Sequence, residues 1–434
     1  MELHHKTATG EDIAFADIRA ELLSQIEPAT VAHLPEPELV RRIERLLSAI
    51  ANERQLALNR FDQERMTRAV VDDITGLGPL EALLRDDTIN DILVNGPDEV
   101  YVERRGKLEL TNVKFRDRQH TLFVAQRVAS TIGRRVDESN PMLDARLLDG
   151  SRVNIILPPL AVNGPYFSIR KFYRDVAELP ILVRNGAMTP NMAKAIGIAT
   201  KCRLNIVISG GTGAGKTTLL NAMSQQITDG ERVVTIEDVA ELQLKKSHVL
   251  QLETRQANIE GRGEIGARDL VKNALRMRPD RIIIGEVRGA EAFDMMQAMN
   301  TGHNGSMTTI HANSAVDAVR RIENMVQMAE TALPISAIRA QIDSAVDLIV
   351  QVERMRDGVR RVTNIAYLKG LENGEIIVEP LWRFRYLGED PDGSIRSGYI
   401  TTPTKPPFFD RLSYFGEGEA FLEAISADLE APAA

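Results

Sequence analysis

An α/β protein of at least two domains is the fold class this sequence predicts: a core built on a largely parallel sheet, preceded by a smaller mixed α/β domain and a helical segment. Three observations predict it. After residue 190 the apolar runs "RLNIVIS", "RVVTIED", "DRIIIGEV", "GSMTTIHA" and "VDLIVQVER" alternate with helical stretches, the pattern of a parallel sheet covered on both faces. Between 89 and 172 the runs are shorter, β-branched and bounded by Gly, Pro, Asn and Asp. The length, 434 residues, exceeds what one hydrophobic core organises.

Taken in order, residues 1–35 show no sustained period and read as a mobile lead-in with at most one short helix. Residues 36–78 form a helical segment, in which Leu39, Ile43, Leu46, Leu47 and Ile50 recur at three-and-four spacing; "GLGPL" then punctuates it. Residues 79–172 make the mixed α/β domain, with strands in "INDILVNG", "EVYVERRGKLEL", "SRVNIILPPL" and "YFSIRKF" and one helix in "RQHTLFVAQRVASTIG". Residues 173–190 are expected to connect it to the core, which runs from 191 to 434 and ends in a proline-led extension with a short amphipathic piece.

Composition excludes several classes. Apolar residues are 43% and charged residues 26%, as in soluble globular proteins. With a net charge of -8, non-specific attraction to nucleic acid is not the expected driving force, which leaves room only for a local basic patch. The single cysteine, Cys202, forbids an intramolecular disulfide and points to a reducing compartment; it and the sole tryptophan, Trp382, are expected to serve packing. The opening "ELHHKTATGEDIAF" has no apolar core or cleavage site and is expected to carry no secretory signal. Nothing approaches 18 consecutive apolar residues, so a role at a membrane would come through docking to another protein.

The chemistry centres on "ISGGTGAGKTTLLNAM", residues 208–223. Gly210 to Thr217 fits G-x-x-x-x-G-K-[ST] at every fixed position, between a strand and a helix. Backbone amides of Gly210, Gly211, Thr212, Gly213, Ala214 and Gly215, with Thr218 at the helix start, can turn onto a triphosphate, and the helix N-terminus adds its positive end. Lys216 reaches the β- and γ-phosphates and Thr217 offers its hydroxyl to Mg²⁺, so ATP and Mg²⁺ are the expected ligands.

Hydrolysis also needs an aimed water and an acceptor for its proton. Glu286 ends the buried run "DRIIIGEV", where ligands collect in such sheets. Glu237, Asp238 and Glu241 end "RVVTIEDVAEL"; at least one of them is expected to orient Mg²⁺ or water, the alternative being a solvated helix start. His303 and His311 flank a short strand. A metal role lacks a third ligand, which leaves a structural role or phosphate sensing, the second favoured by the company of the phosphate loop.

Together "GGTGAGKT", "TIEDVAEL", "RMRPDRIIIGEVRG" and "NTGHNGSMTTIHAN" resemble the type II/type IV secretion superfamily of hexameric ATPases. "GLGPLEALLRDDTINDILVNGPDEVYVERRGKLEL", "DARLLDGSRVNIILPPL" and "FSIRKF" resemble its CpaF branch, the ATPases of tight-adherence (Tad/Flp) pili. The likeness spans residues 65–390. It implies a homohexamer, each copy carrying a sensor-like N-terminal α/β domain and a RecA-like ATPase domain, that works in the cytoplasm against an inner-membrane pilus platform without entering the bilayer. It also implies that Glu286 promotes attack by water, that Glu241 assists at Mg²⁺, and that His303 and His311 respond to the γ-phosphate. Arg146, Arg152 and Arg170 upstream, with Arg255, Arg276 and Arg278 in the core, are the candidate arginines for the triphosphate, some from a neighbouring copy; each could equally be a surface charge. Val239 and Ala240 depart from an acidic box that in relatives has a proline nearby.

Three other readings compete. A secretion or conjugation motor shares the core motifs. A nucleic-acid motor is opposed by the acidic balance and 5% aromatic content. A nucleotide-gated scaffold without turnover is opposed by the joint presence of Lys216 and Glu286.

Overall fold

The computed structural model describes residues 18–19, 21–22, 25–26, 34–56, 58–104, 106–172, 178–255, 262–329 and 333–428. The chain divides into two compact units, Met1–Tyr173 and Arg174–Ala434.

The first unit opens with helices α1 (Glu36–Glu53) and α2 (Arg60–Thr75). Leu39, Ile43, Leu47 and Ile50 of α1 pack against Met66, Val70 and Val71 of α2, as the three-and-four spacing predicts. Ile18, Leu22 and Ile26 join that cluster at 0–3% exposure, and Arg19 binds both carboxylate oxygens of Asp73 at 2.6 Å. The expected mobile lead-in is therefore corrected at these positions, because three apolar side chains gain more from burial than their backbone loses in freedom. Of the residues before 34, only 18, 19, 21, 22, 25 and 26 are among those described.

After a short α3 (Glu81–Leu84) come strands β1 (Ile89–Val94), β2 (Val100–Arg104) and β3 (Lys107–Leu110), helix α4 (Arg118–Thr131), and strands β4 (Met142–Arg146), β5 (Arg152–Ile156) and β6 (Tyr166–Arg170). They form a six-stranded antiparallel sheet in the order β3-β2-β1-β6-β5-β4. The side chain of Asp117 caps α4 by accepting from the His120 amide at 2.7 Å. Val124, Ala125, Val128 and Ala129 cover the apolar face made by Ile92, Val94, Val153, Ile155 and Phe167.

The second unit begins earlier than the sequence suggests. Residues 173–177 of the expected connector lie outside those described, but Leu179 of α5 (Leu179–Arg184) and Met188 are 4% and 5% exposed within the core. Residues 178–190 are thus part of this unit and not a linker: leucines at 179 and 182 supply an apolar face that "YRDVAELPILVRNGAMTP" disguised by its polar flanks. Then follow α6 (Pro190–Lys201), β7 (Ile206–Gly210), α7 (Lys216–Ser224), β8 (Val233–Glu237), β9 (Val249–Glu253), α8 (Ala267–Ala274), β10 (Arg281–Ile284), α9 (Glu291–Asn300), β11 (Met307–Ile310), α10 (Ala315–Gln327), α11 (Ile335–Ala345) and β12 (Leu348–Arg354). A meander of β13 (Arg360–Glu372), β14 (Glu375–Glu389) and β15 (Ile395–Thr401) precedes α12 (Phe409–Tyr414) and α13 (Gly418–Ala427).

The nine strands run β15-β14-β13-β12-β7-β11-β10-β8-β9; β12 to β9 in that list pair parallel and the meander pairs antiparallel. Ile206, Ile208 and Ile283 face one core with Leu219 and Leu220, while Val207, Ile282 and Ile284 face a second with Met295 and Ile322. Side chains buried on both faces explain the continuous apolar runs. Trp382, fully buried, donates from Nε1 to Asp428 at 2.9 Å. That carboxylate also accepts from Thr189 Oγ1 and Asn191 Nδ2, both at 2.7 Å, tying the end of α13 to the start of α6. Cys202 is buried, and burial pushes its thiol up to about 11, consistent with packing. Among the described residues no helix is long and apolar enough to cross a membrane.

Candidate functional site

In a parallel sheet the loops that follow the strands collect at one edge. Here that edge carries the 210–215 loop after β7, the acidic box after β8, Glu286 after β10 and His311 after β11. Gly210 is required by its neighbour: a Cβ there would stand 2.3 Å from the carbonyl oxygen of Val352, its register partner on β12. Gly215 turns the chain into α7 with φ of +98°, a conformation that side chains resist. No side chain caps the N-terminus of α7, which leaves its first-turn amides facing the loop.

Lys216, only 7% exposed, folds over that loop. Its Nζ donates to the carbonyls of Gly210 and Gly211, both at 3.1 Å, and lies 3.3 Å from His311 Nε2. Burial pulls the ammonium below its ordinary range, helped by Arg288 and opposed by the Glu286 charge. His311 Nε2 in turn meets Glu286 Oε1 at 3.0 Å. Burial and the Lys216 charge hold this imidazole below its usual value, against the pull of Glu286. Glu286 Oε2 accepts from Arg288 Nη2 at 3.0 Å, and Arg288 Nη1 donates to Asp238 Oδ2 at 3.1 Å. Burial would raise the Glu286 carboxyl, but the Arg288 hydrogen bond and the charges of Arg288, His311 and Lys216 outweigh it and keep the group ionised. A lysine, a histidine, a carboxylate and an arginine thus form one connected chain at the mouth of a glycine loop.

Glu237, one of the three candidates for Mg²⁺ or water, makes its hydrogen bonds to the acidic box. Its Oε2 accepts from the amides of Glu241 at 2.8 Å and Leu242 at 3.0 Å, and its Oε1 is buried without a hydrogen-bond partner. Burial pushes this carboxyl up to about 7; the two amides work against the rise, and the charges of Glu241 and Glu253 add to it. The side chain therefore fixes the path of the acidic box; it lies on the face of β8 that carries Val233 into the core with Leu219, Leu220 and Leu242. The Ala240 amide donates to Glu253 Oε2 at 3.2 Å.

His303 is corrected too. It precedes β11 where His311 follows it, so the strand carries the two to opposite edges of the sheet. Its amide donates to the Ala298 carbonyl at 3.3 Å, and its own carbonyl accepts from Ser306 Oγ at 2.8 Å, a structural turn at the end of α9.

The core arginines are likewise not brought to this loop. Arg276 and Arg278 precede β10, at the edge that holds His303. Arg255 follows β9 on the loop's own edge, but β9 is the outermost strand, four strand spacings or roughly 19 Å from β7; its Nε donates to the Gly263 carbonyl at 2.6 Å. In the first unit, Arg146, Arg152 and Arg170 are direct cross-strand partners on β4, β5 and β6. Like charges placed opposite one another destabilise a sheet. Asp144 lies 3.9 Å from Arg152 and Asp91 3.2 Å from Arg170, while Arg146 stacks over Phe172 at 5.5 Å, which offsets part of that repulsion.

Arg288 and Arg360 are site neighbours that the sequence reading did not single out. Arg288 stands two residues after Glu286, and an arginine so placed between two acidic strand ends is a legible signal. Arg360 Nε donates to the Gly213 carbonyl at 2.9 Å across a separation of 147 residues, which no local pattern could reveal.

A Mycobacterium tuberculosis protein provisionally named for conjugal transfer is 39% identical over 321 residues, covering 73% of this chain and 90% of its own. The conjugal transfer protein TrbB of Rhizobium radiobacter is 36% identical over 300 residues, 68% of this chain and 88% of that one. A crystal structure of the VirB11 ATPase from the Brucella suis type IV secretion system, in complex with sulphate, is 30% identical, covers 67% of this chain and 93% of that chain, and superposes with a TM-score of 0.37. The family described as Type II/IV secretion system protein matches residues 73–364, a span that holds the glycine loop, the acidic box, Glu286 and both histidines, and this chain belongs to that family.

Proposed function

We propose that this chain is an ATPase subunit of a hexameric motor, and that the motor drives transport or fibre assembly at a membrane. The observation that carries the reading is the connected chain from Lys216 through His311 and Glu286 to Arg288, set at the mouth of a strand-loop-helix phosphate cradle. Loop amides from Gly210 to Thr218 and the Lys216 ammonium would hold the phosphates, and the Thr217 hydroxyl with Glu241 would hold Mg²⁺. Bound there, Mg²⁺ supplies charge neutralisation between the phosphates.

Glu286, ionised and in contact with a histidine, accepts the proton of the attacking water. His311 sits between that base and Lys216, where a γ-phosphate would separate them, and so registers whether the site is filled. Asp238 holds Arg288, and Glu237 holds the acidic box. Arg146, Arg152 and Arg170 form a row of cations suited to phosphate oxygens, and Arg276 and Arg278 suit the triphosphate of another copy.

Two cargo readings stand. The upstream CpaF-like segments favour a Tad/Flp pilus motor bound from the cytoplasm to an inner-membrane platform. The names of the conjugal transfer relatives favour a secretion or conjugation motor of the same build. Phosphate release from the purified protein with MgATP tests the shared core: Lys216→Ala should abolish it, and Glu286→Gln should bind ATP but turn over at least about a hundredfold more slowly. Near-normal release by Lys216→Ala would end the proposal, and deletion of the gene, scored for pili and for DNA transfer, separates the cargoes.

A further inference from the structure

We infer that Arg360 is a positioning residue of the nucleotide site, a clamp from the C-terminal meander that sets the shape of the glycine loop before nucleotide arrives. The inference rests on the reading of 210–217 as a phosphate cradle.

A loop rich in glycine has many conformations, and only a few of them aim its amides at one point. Something must narrow the choice, or binding has to bear the whole ordering cost. The Arg360 Nε donates to the carbonyl of Gly213, in the middle of the loop, at 2.9 Å. At the loop's end the same side chain lies so close that a Cβ on Gly215 would be 3.0 Å from its Cδ. One side chain therefore hydrogen-bonds the middle of the cradle and fills the space beside its last glycine, where a Cβ would crowd it.

The clamp is itself braced. The turn between β12 and β13 is closed by the Met355 amide donating to the Val359 carbonyl at 2.9 Å. Asp357, within that turn, accepts from Val359 N at 3.0 Å and pairs with Arg361 at 2.8 Å, and it accepts from Ile395 N of β15 at 3.2 Å. On either side of the turn, Val352 pairs with both Gly210 and Val362, so the strand that carries the loop and the strand that carries Arg360 share one backbone neighbour. A guanidinium is suited to this post: its planar fork is pre-organised and it stays charged beside a polyanion. Arg360 accordingly joins the loop's geometry to the meander, a connection absent from the sequence motif.

The experiment is calorimetric titration of the full-length protein with MgADP, for wild type, Arg360→Ala and Arg360→Lys, together with amide hydrogen exchange without nucleotide. Arg360→Ala should weaken MgADP binding about tenfold and speed exchange at 211–215 while β8 and β10 keep their protection. Arg360→Lys, which restores the charge and one donor, should recover affinity to within about threefold of wild type. Unchanged affinity in Arg360→Ala overturns the inference, as does faster exchange spread evenly over the whole unit. A wild-type protein that takes up no MgADP would instead overturn the reading of the cradle.

Discussion

Replacing Glu237 by Gln should change the stability of the second unit by an amount that depends on pH, more favourably as pH rises. The Glu237 side chain is 6% exposed, and burial raises its carboxyl from the ordinary 4.5 to about 7. A carboxyl raised on folding binds more protons folded than unfolded, so wild-type stability falls as pH climbs from 4.5 through 7. At about 1.4 kcal/mol per unit the full penalty is about 3 kcal/mol above pH 8 and under about 1 kcal/mol at pH 5. Glutamine escapes it at every pH, yet its carbonyl can still accept from the Glu241 and Leu242 amides. The new amide group would stand where Oε1 now lacks a partner, a cost of about 1–3 kcal/mol that does not vary with pH. The slope is therefore the test. Urea unfolding without Mg²⁺ or nucleotide, followed by the fluorescence of Trp382, reports this unit alone, since no other tryptophan exists in the chain. Variant stability relative to wild type should rise by about 2–3 kcal/mol between pH 5 and pH 8. A difference that stays flat across that range would refute the assignment of a buried, proton-holding Glu237.

The same fluorescence checks a second buried charge. Arg281 is fully buried and meets both oxygens of Glu231, at 2.7 and 2.9 Å, so Arg281→Leu should cost about 3–5 kcal/mol, and adding Glu231→Leu should restore much of it. For catalysis, Arg288→Ala removes a cation that holds the Glu286 carboxyl low; the acid limb of the rate profile for phosphate release should move to higher pH, and an unmoved limb would detach Arg288 from Glu286.

What the sequence disclosed followed burial. Runs such as "RIII" and "IVISG" lie on strands buried on both faces, so each residue reports the same environment and the pattern survives without alignment. β13 and β14 run 13 and 15 residues; "WRFRYL" alternates aromatic and charged residues at the two-residue period of a strand, but the pairing that places it in the sheet is fixed by contacts distant in sequence. The phosphate loop was legible because a ligand-shaped backbone demands glycines at set intervals. Glu286 was legible because it ends such a strand. The bracing of the acidic box by Glu237 was not legible, because it lies in two backbone amides that composition cannot display. His303 could have been placed better: a strand between two histidines already separates them by its own length.

That strand, β11, is four residues long, roughly 13 Å. The sheet's polarity therefore gives each molecule two unlike margins, one with Glu286, Lys216 and the glycine loop, the other with Arg276 and Arg278. In the motor proposed above, Arg276 and Arg278 of one copy would serve the triphosphate of a neighbour. Specific activity should accordingly climb with protein concentration until every margin has found its complement.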